Sequence, residues 1–192
     1  MALLKLRHWQ TFLLIFILPF ALQYGLNKLF NILDIHVGDM LALVLDVLPA
    51  TIYVLWLWVA GIWLYRRLPS SIKITPLYFH LSNLYFILYT LLFVYTLSVI
   101  RDSIITGIFP LGMLALLMPM HLLSTFCYLY AVYFIARSMV SVEQQRVVRF
   151  GEFAGAYFLY LLLPIGIWWI QPRLNKLSSA NRKTGDAPVT VL

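Results

Sequence analysis

The sequence predicts an all-α fold, a polytopic transmembrane helical bundle with four to five membrane-embedded helices. Three observations carry that prediction. Of the 192 residues, 62% are hydrophobic and only 11% are charged, against roughly a quarter charged in a soluble domain. Mean hydropathy is +0.88. A soluble fold of this size has too little interior to hide so much apolar surface, which excludes a water-soluble enzyme and a disordered chain. The apolar residues also gather into runs long enough to cross a hydrocarbon core of about 30 Å.

The first span is expected over about residues 11–30. Lys5 and Arg7 ahead of an apolar run also suit a signal peptide, but Ala21-Leu22-Gln23-Tyr24-Gly25 offers no A-x-A-like cleavage site, so a retained span is predicted. A polar connection carrying Asp34, His36 and Asp39 leads to a second span over 41–65, which Arg66-Arg67 ends. Pro76 suits the first turn of a third helix over 76–100, where a missing N–H costs nothing, and Arg101-Asp102 is expected to close it. Residues 104–136 are apolar almost throughout, about 50 Å of helix at 1.5 Å per residue, too long for one crossing. Pro110 and Pro119 therefore predict an irregular, interfacial or re-entrant lead-in to about residue 118, helical in part, and a fourth span over 114–136. Residues 137–152 read as a polar surface loop. A fifth helix is expected over 153–171, broken at Pro164 and Gly166. Residues 1–172 then form a single domain, and 173–192 a flexible polar tail.

Fourteen Lys and Arg against seven Asp and Glu give a formal net charge of +7. Such an excess can signal nucleic-acid binding. Here Lys5, Arg7, Arg66, Arg67, Arg137, Arg173 and Lys176 flank apolar runs, the pattern that the positive-inside rule leaves. Membrane lipids are expected partners, with a membrane-protein partner or a second copy of the chain; nucleic acid is not. The single cysteine, Cys127, excludes an internal disulfide and a CxxC site.

An amino terminus in the cytoplasm lets four spans satisfy the charge rule. The outer 31–39 connection holds Asp34 and Asp39 and no Lys or Arg, while the inner loops hold Arg66, Arg67 and Lys73, then Arg137, Arg146 and Arg149. The fifth run does not fit. A crossing puts Arg173, Lys176, Arg182 and Lys183 outside, whereas a re-entrant segment at Pro164-Ile165-Gly166 returns them to the cytoplasm. The sequence leaves both open.

Inside the runs, polar side chains form stripes. At 100° per residue, His80, Asn83, Thr90 and Ser98 share an arc of about 80° on the third helix. His121, Ser124, Thr125 and Tyr128 share about 100° on the fourth. Both stripes are expected to face the bundle interior. Asp46 is the one acid well inside an apolar run, hence the candidate proton or cation site. The candidate buried polar site is therefore Asp46, His80, Asn83, His121, Ser124 and Tyr128. His80 and His121 are expected at different depths, no H-E-x-x-H occurs, and no third strong ligand accompanies them. No catalytic residue, metal, haem or other cofactor is expected, and no phosphate-binding or nucleophile-elbow motif is present. Gly151-x-x-x-Gly155 matches the small-xxx-small pattern and is expected to pack helices closely.

The stretch Pro164-Ile165-Gly166-Ile167-Trp168-Trp169-Ile170-Gln171-Pro172-Arg173-Leu174-Asn175, with Met118-Pro119-Met120-His121 and Phe126-Cys127 upstream, resembles a group of small, uncharacterised bacterial polytopic membrane proteins. The resemblance covers about residues 118–175. It implies a bacterial cytoplasmic membrane and no particular chemistry. Members often carry an acid where this chain has Ala156. The residues themselves suggest a lipid-interface anchor: Trp168 and Trp169 as interfacial aromatics, Gln171 and Asn175 bonding freed carbonyls, Pro172 ending the helix, and Arg173 meeting headgroups. The function expected from all this is a non-catalytic accessory or scaffold protein of the membrane. The alternatives are a small transporter or channel component using Asp46 and the polar stripes, and an intramembrane metal or haem enzyme.

Overall fold

The computed structural model describes residues 6–34, 39–107 and 111–185. Six helices and no strands occur among the described residues: α1 His8–Ile32, α2 Asp39–Tyr65, α3 Leu77–Thr106, α4 Leu111–Gln144, α5 Phe150–Leu161 and α6 Leu163–Gly185. The fold is all-α. Within α1 to α4, the stretches His8–Ile32, Leu41–Tyr65, Leu77–Ile100 and Leu111–Gln144 are long and apolar enough to cross a membrane.

Local chemistry explains most boundaries. In α1, Leu13–Ile17 forms a π turn just ahead of Pro19. A proline has no N–H and its ring crowds the carbonyl four residues back, so a widened turn relieves both. Helix α3 runs past the expected stop at Arg101-Asp102 and ends at Gly107, whose φ of 74° is left-handed and whose N–H bonds the Ser103 carbonyl at 2.8 Å. That is the position that favours glycine after a helix.

The largest departure is α4. Its 34 residues pass through Pro119 unbroken, so the lead-in is regular helix from Leu111 onward; Pro110 lies outside the described residues. The helix also continues through Arg137 to Gln144, where a loop was expected. Residues 138–142 are all buried, with Met139 accepting a contact from the Tyr160 hydroxyl of α5 at 3.5 Å. Ser138 and Ser141 are buried with them, and exposure begins only at Glu143 and Gln144.

Side-chain contacts fix the depth of each element. Helices α1 and α2 run antiparallel, with Phe16 against Tyr53 and Gln23 against Asp46. Helix α3 returns beside both α2, through Trp58 and His80, and α4, through Phe79 stacked on Phe134 at 4.5 Å and Phe86 against Tyr128. Gly61 makes the α2–α3 approach possible: a Cβ there would lie 2.7 Å from Cε1 of Phe79. Tyr53, Phe86 and Tyr128 thus share one level near the middle of the spans. Arg7, the Arg66–Pro76 connection and the α4–α5 turn lie together at one end, hereafter the basic end.

Helices α5 and α6 form a hairpin. Helix α5 has 12 residues, about 18 Å, far short of a crossing. It starts at the basic end and delivers Leu161 to the level of Tyr128. Helix α6 then returns, and Arg173 meets Glu143 near the end of α4. The fifth apolar run is therefore broken, as expected, but at Leu162, and it enters and leaves at the same end. Residues 173–185 continue this helix instead of beginning a loose tail; residues 186–192 of the expected tail lie outside the described residues. Leu163, Ile167, Ile170, Leu174 and Leu177 recur at helical spacing, the first four fully buried and Leu177 packed on the core, so an apolar stripe holds α6 against the bundle. Pro172 sits on the exposed face and does not end the helix.

Candidate functional site

The six candidate polar residues do not converge. Asp46 is exposed and accepts a hydrogen bond from Gln23 Nε2 at 2.8 Å. His80 Nδ1 accepts from Trp58 Nε1 at 2.7 Å. His121 is exposed and meets the Tyr89 hydroxyl at 2.6 Å through Nδ1. Asn83 turns back on its own helix to the Phe79 carbonyl at 2.7 Å, and Ser124 is buried on α4. His80 and Tyr89, the partner of His121, lie nine residues apart along α3, about 13 Å of rise. The two histidines therefore belong to separate pairs. No group of three metal-ligating side chains occurs among the described residues.

The rest of the polar stripes is satisfied locally. Thr90, Thr96, Ser98, Ser103 and Thr125 each donate to a carbonyl three or four residues back. This is the usual solution for a hydroxyl in a helix with no water near it. The expected inward-facing stripe is thus replaced by bonds along each helix and a few one-to-one bonds between helices.

Tyr128 has a particular task. Its hydroxyl donates to the Leu161 carbonyl at 3.3 Å and lies 2.8 Å from the Tyr53 hydroxyl. Because the Tyr128 proton is directed to the carbonyl, Tyr53 is the donor to Tyr128. Leu161 ends α5, so its carbonyl has lost its helical partner at mid-depth. Non-helical backbone in a membrane is tolerated only where protein or water satisfies it. The Tyr53–Tyr128 pair does so here.

The hairpin turn depends equally on Gly166. A Cβ at this position would collide with the Leu159 carbonyl oxygen and lie 2.6 Å from its carbon and 2.9 Å from its Cα. These are backbone atoms that cannot rotate away. Gly151 and Gly155 behave differently: nothing lies within 4 Å of a Cβ built on either. The expected close packing at Gly151-x-x-x-Gly155 is absent among the described residues.

The carboxy-terminal signature clamps the basic end together. Gln171 Nε2 and Asn175 Nδ2 both donate to the Leu6 carbonyl at 3.0 Å, and Gln171 Nε2 also reaches Asn175 Oδ1 at 3.3 Å. They bond a freed carbonyl, as expected, and it belongs to the chain ahead of α1. Trp168 is half-exposed and lies on His8 at 4.7 Å and Phe12 at 6.2 Å. Trp169 is exposed on the hairpin's outer face. Arg173 does not point to a headgroup. It forms a two-pronged pair with Glu143, through Nε to Oε1 at 2.8 Å and through its second nitrogen to Oε2, and the pairing raises the guanidinium pKa further. At the α4–α5 turn Glu152 pairs with Arg146 and accepts the Arg149 backbone N–H at 2.7 Å. The Arg146 hydrogen bond, then the Arg149 N–H, hold the Glu152 carboxyl below its ordinary range.

The sequence singled out one side of each pair. Gln23, Tyr53, Trp58, Tyr89 and Glu143 complete them and were not among the candidates. A polar or tryptophan side chain inside an apolar run was the signal available, but which helix it faces is a property of the packing. Comparison with protein-family models, with curated proteins and with solved structures finds nothing that matches the chain.

Proposed function

We propose that this protein is a non-catalytic accessory or scaffold protein of a bacterial cytoplasmic membrane, with its basic end and both termini on the cytoplasmic side. One observation supports this reading above others. Gln23 with Asp46, Tyr53 with Tyr128, Trp58 with His80, and Tyr89 with His121 spend their hydrogen bonds on one another, helix to helix. Interhelical polar bonds of this kind fasten a bundle. A second observation suits a partner in the membrane. Leu111, Leu116, Met118, Leu122, Leu123 and Phe126 of α4 are all exposed, which leaves the outer half of that helix open to lipid or to another membrane protein. The orientation follows from the charge rule. Membership of the bacterial group suggested by the carboxy-terminal signature belongs to the same proposal.

The test is gentle extraction of the tagged full chain at native expression, followed by mass spectrometry of what accompanies it. The expected result is a stoichiometric membrane-protein partner, retained by Asp46→Asn and His121→Ala with folded yield intact. A chain that purifies without a partner and carries a metal or pigment lost on His121→Ala would overturn the reading. So would transport of a solute that Asp46→Asn abolishes while folded yield survives.

A further inference from the structure

A cavity of about 250 Å³ opens at the basic end between α2, α3 and α4, lined by Ile62, Tyr65, Arg66, Pro76, Phe79, His80 and Phe134. Its inner wall is aromatic and aliphatic. Its polar equipment is a guanidinium and an imidazole.

The imidazole's state is fixed by its neighbour. Trp58 Nε1 can only donate, and it donates to His80 Nδ1 at 2.7 Å. Nδ1 is therefore the unprotonated nitrogen, and the neutral ring carries its proton on Nε2. His80 presents a donor as its remaining hydrogen-bonding group. Arg66 is exposed, and its guanidinium has no hydrogen-bond or ion-pair partner among the described residues. The two carboxylates described at this end, Glu143 and Glu152, are engaged by Arg173 and Arg146. No acid thus offsets Arg66, and the neighbouring Arg67 lies over the Trp63 ring at 3.8 Å. The cavity offers one full positive charge and donors, with apolar walls behind them. Its volume is below that of a drug-sized site, which suits a small anionic group with a few carbons attached.

The geometry points to this cavity as a phosphate site, taking the phosphodiester of an anionic lipid headgroup or the phosphate of a small soluble ester. Arg66 supplies the charge, His80 Nε2 a hydrogen bond, and Ile62, Phe79 and Phe134 the surface for the adjoining glycerol carbons. Basic pockets between helices at a membrane face bind anionic headgroups on these physical grounds. The inference is independent of the scaffold reading.

The experiment titrates the purified full chain in phosphatidylcholine nanodiscs, reading bound ligand by native mass spectrometry. One arm adds phosphatidylglycerol and the other glycerol phosphate in water. Binding in the first arm alone identifies a lipid headgroup, and binding in the second identifies a soluble ester; either supports the site if Arg66→Gln weakens it about tenfold. Lys73→Gln, on the same loop but outside the cavity lining, is expected to stay within about twofold. Arg66→Gln should leave the thermal midpoint without ligand unchanged, since Arg66 is exposed. Two results would overturn the assignment: no preference for either phosphate over phosphatidylcholine, or equal losses in Arg66→Gln and Lys73→Gln.

Discussion

Substituting Gly166 with alanine tests the hairpin directly. The added methyl would lie 2.6 Å from the carbonyl carbon of Leu159 and 2.9 Å from its Cα, well inside van der Waals contact. Extra atoms in a packed site usually cost about 1–3 kcal/mol because side chains give way. Here the obstacle is the last turn of α5 itself, so the cost belongs at the top of that range. The alternative is for α6 to lift away. That sacrifices the Gln171 and Asn175 bonds to the Leu6 carbonyl, about 1 kcal/mol each. It also sacrifices the half-exposed Arg173–Glu143 pair, about 1 kcal/mol or less. Lifting α6 also unpacks the buried Leu163, Ile167, Ile170 and Leu174, so the local collision is the cheaper route and sets the loss at about 3 kcal/mol. Unfolding in a denaturant–detergent mixture measures the loss, with Gly151→Ala and Gly155→Ala as controls. Those two sites are open and helical, so alanine there should be neutral or stabilising by up to about 1 kcal/mol. If Gly166→Ala matched these controls, the hairpin turn as described would be wrong.

Tyr128→Phe should destabilise the bundle by about 1–3 kcal/mol, because it strands the Leu161 carbonyl and the Tyr53 hydroxyl together; the double variant with Tyr53→Phe should cost little more than Tyr128→Phe alone, and full additivity would refute the pairing. In a Cys127→Ala background, single cysteines at Ser70 and Ser179 should react with a membrane-impermeant thiol reagent from the same side, and a cysteine at Asp34 from the other; opposite labelling of positions 70 and 179 would refute the re-entrant hairpin. The Glu152 carboxyl is held below its ordinary 4.5, so its contribution is present above that pH and fades as pH falls through the lower folded value. Glu152→Gln should therefore flatten the acid limb of the stability profile, and an unchanged limb would show that the Arg146 and Arg149 contacts do not bear on stability.

What was legible in the sequence follows from what hydropathy can report. The four long apolar helices emerge from it because each is apolar on nearly all sides; α2 ends just before the Arg66-Arg67 that punctuates it and α3 begins just after Pro76, although α3 runs on past Arg101-Asp102. The last turns of α4, after Ala136, and the continuation of α6 do not emerge. Arg137, Gln144, Arg173 and Lys176 read as loop and tail residues, yet a helix lying against a bundle needs only one apolar stripe. Leu163, Ile167, Ile170, Leu174 and Leu177 supply that stripe, and periodicity, rather than mean hydropathy, would have found it. The polar candidates were legible as exceptional residues, while their partners were not. That Gln23 reaches Asp46 and Trp58 reaches His80 depends on how far each helix slides along its neighbour, and that register is set by packing at positions such as Gly61 against Phe79.

The conflict between five apolar runs and the distribution of charge resolves through this same packing. A fifth crossing would separate Arg173 and Lys176 from the other basic loops. The hairpin instead brings Arg173 to Glu143 and binds Asn175 to the Leu6 carbonyl, so this part of the last helix lies at the basic end. Three features make the turn possible at mid-depth. Gly166 lets the two helices touch, Pro164 lacks the N–H that the break would leave open, and Tyr128 supplies the donor that the Leu161 carbonyl needs. Gly166 and Pro164 lie together at the start of α6, and Tyr128 comes from α4. The Pro164-Ile165-Gly166 motif is thus half of a device whose other half, Tyr53 and Tyr128, sits on α2 and α4. A variant that restores a fully hydrogen-bonded helix across residue 162 would have to drive α6 onward through the bilayer, carrying Arg173 away from Glu143. The hairpin is held closed by the contacts it makes at the basic end: the buried stripe of α6, the Gln171 and Asn175 bonds to the Leu6 carbonyl, and the Arg173–Glu143 pair.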